Sequence, residues 1–194
     1  MLQSGESIRA FLACSPSAEV RSQIASLQET WKRQIPAGVV SWVKPESIHL
    51  TLKFLGNISF SQKDILQSLI HGAIKTISPF HLSVEGVGAF PAPSRPKVIW
   101  AGLKGETETL LDLQRRIDKT MAMMGFAVED RPFQWHLTMG RVKKAPAPKE
   151  IEQCLSLAHS FQGGQFQVDH ISLFKSNLTP DGAIYTSLHT FPLG

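Results

Sequence analysis

Two tetrapeptides hold the reactive groups of this sequence, His49-Leu50-Thr51-Leu52 and His136-Leu137-Thr138-Met139. Imidazole titrates at about pH 6.5, so one histidine can start neutral and another charged in neutral water. Two of them on opposite sides of a phosphorus atom suit in-line displacement. One removes a proton from the attacking oxygen while the other protonates the departing one. Threonine hydroxyls can donate hydrogen bonds to nonbridging phosphate oxygens, whose charge must be held as the transition state forms. In an extended strand successive side chains take opposite faces, so His49 and Thr51 share one face while Leu50 and Leu52 share the other, and the second tetrapeptide behaves alike. Arg141 follows His136 by five positions, an odd offset that puts it on the wrong face of a regular strand. It can serve a phosphate only if a bulge, a twist or the strand end swings it inward. Metal binding is the competing chemistry, but neither motif supplies a third ligand nearby and threonine is a poor zinc ligand, so no metal and no cofactor are expected.

The flanks of the two motifs also recur. KDILQSL at 63–69 returns as KEIEQCL at 149–155 with four of seven residues identical, at an offset of 86 against 87 for the histidines. SVEGVGAF at 83–90 resembles QVDHISLF at 167–174, and VIWAGL at 98–103 resembles AIYTSL at 183–188. A period near 86 residues is too long for a solenoid and reads as two copies of one αβ lobe. Alternating, β-branched or aromatic runs predict strands at SIRAFLA, SIHLTLKFLG, FHLSVEGV, KVIWAGL, QWHLTMGRV, QFQVDHISLF and AIYTSLHTF. Helical patterns lie near 16–34, 60–76, 106–124 and 148–160, with Pro16 suited to a first turn and Gly125 to a helix stop. The expected fold is α+β. Each of two pseudo-symmetric lobes is an antiparallel sheet with helices on its outer face, and the lobes enclose a central cleft as one domain over 1–194.

Composition narrows the partners. The 194 residues are 42% hydrophobic and 19% charged, which is ordinary for a globular protein. Apolar runs such as IRAFLA fall far short of the roughly 20 residues a membrane span needs, and no basic leader with a cleavage site opens the chain, so a cytoplasmic location is expected. Cys14 and Cys154 read as buried thiols. A net charge of +4 favours an anionic partner, yet Lys and Arg are scattered and only Arg141-Val142-Lys143-Lys144 forms a short basic group. A small phosphate-bearing substrate or a short single strand fits this better than a duplex. No obligate protein partner is evident, and a monomer is expected.

With these motifs and flanks in place, the chain is seen to resemble the two-histidine (2H) phosphoesterases, and among them the RNA 2′,3′-cyclic phosphodiesterases, also called 2′-5′ RNA ligases. IRAFLACSPS, IHLTLKFLG, RPFQWHLTMGR and LFKSNLTPDGAIYTSLHTFPL carry the likeness over essentially the whole length. The resemblance implies metal-independent hydrolysis of a 2′,3′-cyclic phosphate on an RNA 3′ end or a nucleotide, leaving a 2′-phosphate, with His49 as general acid and His136 as general base. Thr51, Thr138 and Arg141 would bind the phosphate, Arg131 of the RPF segment would position phosphate or order its loop, and Phe11 would stack a base or pack in the core. Phe54, Trp42 and Trp135 carry the same ambiguity as Phe11. Two alternatives stand beside hydrolysis: ATP-independent 2′-5′ RNA ligation at the same site, and a nucleotide-binding module without turnover. The chain departs from the family where Trp135 precedes the second histidine in place of proline, and where Gly140 replaces a larger residue. Both departures bear on the base-binding side of the cleft.

Overall fold

The computed structural model describes residues 7–128, 132–143, 149–179 and 182–194, all but the side chains of 60 and 61. Its helices start where a hydroxyl can cap them. Helix α1 (Ala18–Lys32) follows Ser17, which accepts from the Val20 amide, so the first turn begins after Pro16 rather than on it. Its stripe of Val20, Ile24 and Trp31 is buried. Helix α2 (Phe60–Ile74) opens with a reciprocal capping box between Ser59 and Gln62. Helix α3 (Thr107–Met123) stops at Gly125, whose φ of 83° lies in the left-handed region that favours glycine. Helix α4 (Lys149–Leu157) buries Ile151, Cys154 and Leu155. Among the described residues no helix is long and apolar enough to cross a membrane.

The strands form two antiparallel sheets. Four of them, in the order β3 (Leu50–Ser59), β1 (Ser7–Cys14), β8 (His170–Thr179) and β9 (Gly182–Pro192), make the first sheet. The second takes the order β2 (Val40–Trp42), β6 (His136–Val142), β5 (Val98–Gly105), β4 (Phe80–Phe90) and β7 (Gln162–Val168). Helices α2 and α3 pack on strands of the first sheet, and α1 and α4 on strands of the second. The α+β class with two antiparallel sheets and four helices is therefore as the sequence predicts.

The sheets are not the two halves of the chain. Each combines strands from both, and the predicted run QFQVDHISLF is two strands, broken at Asp169 where the chain passes from the second sheet to the first. The likeness of VIWAGL to AIYTSL does not mark equivalent strands, because β5 lies inside its sheet and β9 at an edge. The positional counterpart of β5 is β1. Ala13 pairs with Thr51 as Trp100 pairs with Thr138, which places both strands beside a histidine strand at the same spacing as the motifs. The three-residue strand β2 is too short for any periodic signal, and the sequence did not reveal it. On the helix-facing side Leu50, Leu52, Leu137 and Met139 are all at most 2% exposed, which leaves the His-x-Thr pairs to the other side.

Candidate active site

The parity problem at Arg141 is resolved by a bulge. Along β6, Thr138 pairs with Trp100 and Gly140 with Ile99, so Met139 is an extra residue that the neighbouring strand does not match. Met139 and Gly140 consequently both bury themselves on the helix side, and Arg141 comes out on the face of His136 and Thr138. Strand β3 repeats the device. Thr51 pairs with Ala13 and Lys53 with Leu12, which makes Leu52 the extra residue. Lys53 is thereby turned to the core, 3% exposed and ion-paired with Asp118 of α3, and Phe54 emerges on the cleft face, 59% exposed, as the positional counterpart of Arg141. The cleft is thus pseudo-symmetric in its histidines and threonines but carries a cation on one strand and an aromatic ring on the other.

A buried glutamine fixes the second bulge. Gln28 of α1, 2% exposed, donates through Nε2 to the carbonyls of Val43 and Met139, each at 2.8 Å, and the Val43 amide donates to the same Met139 carbonyl at 2.9 Å. The bulged residue is held from two directions, and with it the turn of the chain that aims Arg141. A lone glutamine within a helical pattern carries no sequence signal of such a role.

Both imidazoles are oriented in the same way. His49 Nδ1 donates to the Ser47 carbonyl at 2.8 Å, and His136 Nδ1 to the Gln134 carbonyl at 2.7 Å. A carbonyl accepts only from a protonated nitrogen, so the neutral tautomer has its proton on Nδ1 and leaves Nε2 to act as base, or as acid once protonated. The short 3-10 turn Pro45–Ser47 supplies the carbonyl for His49. The strands β3 and β6 are themselves in contact, which brings the motifs together across the cleft. Thr51 and Thr138 are half-buried, and among the described residues neither hydroxyl has a hydrogen-bond partner.

The surroundings of the two rings differ. His49 sits among Phe11, with centroids 4.8 Å apart, Tyr185, edge-on at 5.0 Å, and Phe174 at 6.5 Å. Phe11 is 3% exposed, and its ring is engaged by His49, Phe174 and Tyr185. His136 has Phe90 edge-on at 5.0 Å, with Trp100 behind it at 5.3 Å. The Trp100 indole lies over Gly88, where a Cβ would come within 2.3 Å of the ring, so only glycine admits it. Gly140 has a similar reason: a Cβ there would lie 2.6 Å from Val40 and 3.2 Å from the Trp42 ring. The departure at Gly140 is therefore the space that Val40 fills first and the Trp42 ring beside it. Trp135 is half-buried and packs edge-on against Phe133.

Electrostatics follow from this geometry. Burial pushes His49 below the ordinary imidazole range, the Ser47 carbonyl acts in the other direction, and the positive charges of His136 and Arg141 lower it further. His136 is also lowered, first by burial and then by Arg141, against the pull of the Gln134 carbonyl. The Tyr185 phenol is raised by burial, with Arg141 and Arg9 opposing the rise. Arg141 thus acts on both histidines and on Tyr185. A cavity of about 580 Å³ opens beside His49, Arg141 and Tyr185 and extends to Trp42 and Lys44; His136 is not in its wall.

The structure brings together His49, His136, Thr51, Thr138 and Arg141. Arg131 and Lys144 lie outside the described residues. Lys143 is exposed. Sequence reasoning missed Tyr185, although its segment AIYTSL stands out by its likeness to VIWAGL, because that likeness gives no reason to single out the ring. It also missed Phe90 and Phe174, which end the paired segments SVEGVGAF and QVDHISLF. Cys14 and Cys154 are buried thiols, as predicted. Among the described residues no three His, Cys, Asp or Glu side chains gather as a metal site.

Comparison with known proteins agrees in family and in fold. The model of the LigT-like phosphoesterases matches residues 15–100 and 103–185. The RNA 2′,3′-cyclic phosphodiesterase of Methanothermobacter thermautotrophicus is 34% identical over 186 residues, covering 96% of this chain and 99% of the relative. Among solved structures, TT0787 of Thermus thermophilus has a TM-score of 0.78 at 29% identity, covering 96% of this chain and 98% of that one. E. coli LigT complexed with 3′-AMP has a TM-score of 0.75 at 28% identity, covering 97% and 99% of the two chains.

Proposed function

Because the chain belongs to the LigT-like phosphoesterase family, we propose that it hydrolyses 2′,3′-cyclic phosphate ends of RNA to 2′-phosphates by acid–base catalysis with two histidines and no metal. One observation carries the reading. Two imidazoles on facing strands, each with Nδ1 committed to its own backbone carbonyl, share a cleft with a bulge-directed arginine. That is the equipment of in-line displacement at an anionic phosphorus centre.

His136 Nε2 takes a proton from water as the water oxygen bonds to phosphorus. The bond from phosphorus to the 3′ oxygen breaks, and His49 Nε2–H protonates that oxygen, leaving a 3′-hydroxyl and a 2′-phosphomonoester. Passage of the proton from His136 to solvent, and uptake of one by His49, restores the starting state. Thr51 and Thr138 donate to the nonbridging oxygens, and Arg141 offsets the charge that builds there. The assignment of acid and base comes from the family and is supported by the cavity. The leaving oxygen belongs to the nucleoside, and the cavity that can receive a nucleoside has His49 in its wall. Both imidazoles are lowered in the free protein. The bound phosphate anion counters burial and Arg141, and so returns a proton to the acid when it is needed.

Steady-state hydrolysis of a cyclic-phosphate-ended oligonucleotide tests the proposal. His49→Ala and His136→Ala should each cost about 10²- to 10⁴-fold in rate, the worth of a positioned acid or base. Near-normal turnover by either folded variant would remove the two-histidine mechanism.

A further inference from the structure

Tyr185, the single tyrosine of the chain, comes from a part of the fold that the second sheet does not repeat. Phe174 pairs with Phe11 as Phe90 pairs with Val98, and Phe11 and Val98 in turn pair with Phe54 and Arg141, so Phe174 and Phe90 hold matching positions in the two sheets. Beyond them the match ends. Strand β9 accompanies β8 along its whole length and sets Tyr185 opposite Ser176, whereas the pairing of β7 with β4 stops at Glu85, short of Phe90. The longer hairpin therefore gives His49 a phenol that His136 does not have. We propose that the Tyr185 hydroxyl is a phosphate-binding donor, which gives a hydrogen bond to a nonbridging oxygen beside Arg141 on the His49 side of the cleft. The inference rests on the proposed hydrolysis of cyclic phosphates and adds a residue to its phosphate site.

Three groups converge on this side. Tyr185 shares the cavity wall with His49 and Arg141. Its ring crosses β8 to stand edge-on against Phe11 and against His49, with centroids 5.0 Å away in each case, and these two contacts fix its plane. The side chain is half-buried, a setting in which a phenol ordinarily finds a hydrogen-bond partner. Among the described residues this hydroxyl has none. Its polar neighbours are cations: the charge of Arg141 acts on it, and so does that of Arg9, an exposed residue two places before Phe11 on β1. A guanidinium only donates, so neither arginine can accept the phenol proton. An anion held by Arg141 can, and the bond it makes is charge-assisted. Burial raises the phenol above its ordinary range despite both cations, so the group stays protonated, and therefore a donor, in neutral water.

Tyr185→Phe removes the hydroxyl and keeps the ring against Phe11 and His49, so the variant should fold with an unchanged Tm. Calorimetric titration of wild type and variant with adenosine 2′-monophosphate, inorganic phosphate and adenosine tests the contact without requiring turnover. The variant should bind adenosine 2′-monophosphate and inorganic phosphate about 10- to 100-fold more weakly, the worth of a hydrogen bond to a charged group. Adenosine, which has no phosphate, should bind both proteins alike. The kcat/KM for adenosine 2′,3′-cyclic phosphate should fall by a similar factor. Undiminished affinity of the variant for both phosphate ligands would overturn the inference. So would an equal loss for adenosine, which would place the phenol against the nucleoside. If adenosine 2′-monophosphate bound in a manner that depended on Tyr185 while wild type left the cyclic phosphate intact, the proposed hydrolysis would fail and the phosphate contact would stand.

Discussion

Replacing Arg141 with Gln removes a charge and keeps a side chain of similar reach that can still donate a hydrogen bond. The structure gives the change two separate consequences. Arg141 stands on the cleft face because Met139 is bulged, and its charge lowers both imidazoles. A hydrogen bond to a charged group contributes about 1.5 to 3 kcal/mol, and each 1.4 kcal/mol is roughly tenfold, so kcat/KM should fall by about 10- to 100-fold. The second consequence concerns pH. A cation beside an imidazolium disfavours the protonated form, so removing it raises both histidines. The acidic limb of the kcat/KM profile rises with the base and the alkaline limb with the acid, and the whole bell moves to higher pH. Initial rates on a cyclic-phosphate dinucleotide across the pH range measure both effects at once. A rate loss below twofold, or a bell that stays in place or moves to lower pH, would mean that Arg141 does not reach the phosphate and that the bulge does not aim it.

Two further outcomes depend on other parts of the structure. Gln28→Leu deletes one buried and one part-buried hydrogen bond and takes the side-chain donor from the Val43 carbonyl, a loss of about 2 to 4 kcal/mol that should lower Tm by roughly 5 to 15 °C in calorimetry. Assayed well below that Tm, the variant should also lose about 10- to 100-fold in kcat/KM through a displaced Arg141, and full activity there would make Gln28 a stability residue only. Prolonged EDTA treatment should leave turnover unchanged, since proton transfer is assigned to imidazoles and charge compensation to Thr and Arg. Loss of activity that Zn²⁺ or Mn²⁺ restored would recast the histidines as ligands.

What the sequence could disclose was set by physical range. The shared face of His49 with Thr51 and of His136 with Thr138 was legible because a strand has a period of two and the motif occurs twice. The four helices were legible from their apolar stripes, and Gly125 marked the end of one. The exchange of strands between sheets was not, because the pairing of β1 with β8 and of β4 with β7 is decided by contacts distant in sequence, and a repeat in the chain does not say which sheet each copy joins. Arg141 was legible as a residue and not as a position. Its offset demanded a bulge, but the cause of that bulge, a glutamine in α1 more than a hundred residues away in the chain, leaves no mark on β6 itself. Gly140 is a departure in the sequence alone, because Val40 and Trp42, which take the space of its missing side chain, come from a strand far away in the chain. The aromatic setting of His49 likewise depends on Phe11, Phe174 and Tyr185 meeting from three strands.

The proposed chemistry turns on which bond breaks, and phosphorus NMR of the product from a 2′,3′-cyclic-phosphate-ended dinucleotide reads that bond directly. With His136 activating water and His49 protonating the 3′ oxygen, the product is a 2′-phosphomonoester with a free 3′-hydroxyl. A dominant 3′-phosphomonoester would show that the substrate lies the other way round in the cleft and that acid and base are reversed. An unchanged cyclic phosphate signal after prolonged incubation with the folded protein would contradict the hydrolysis itself.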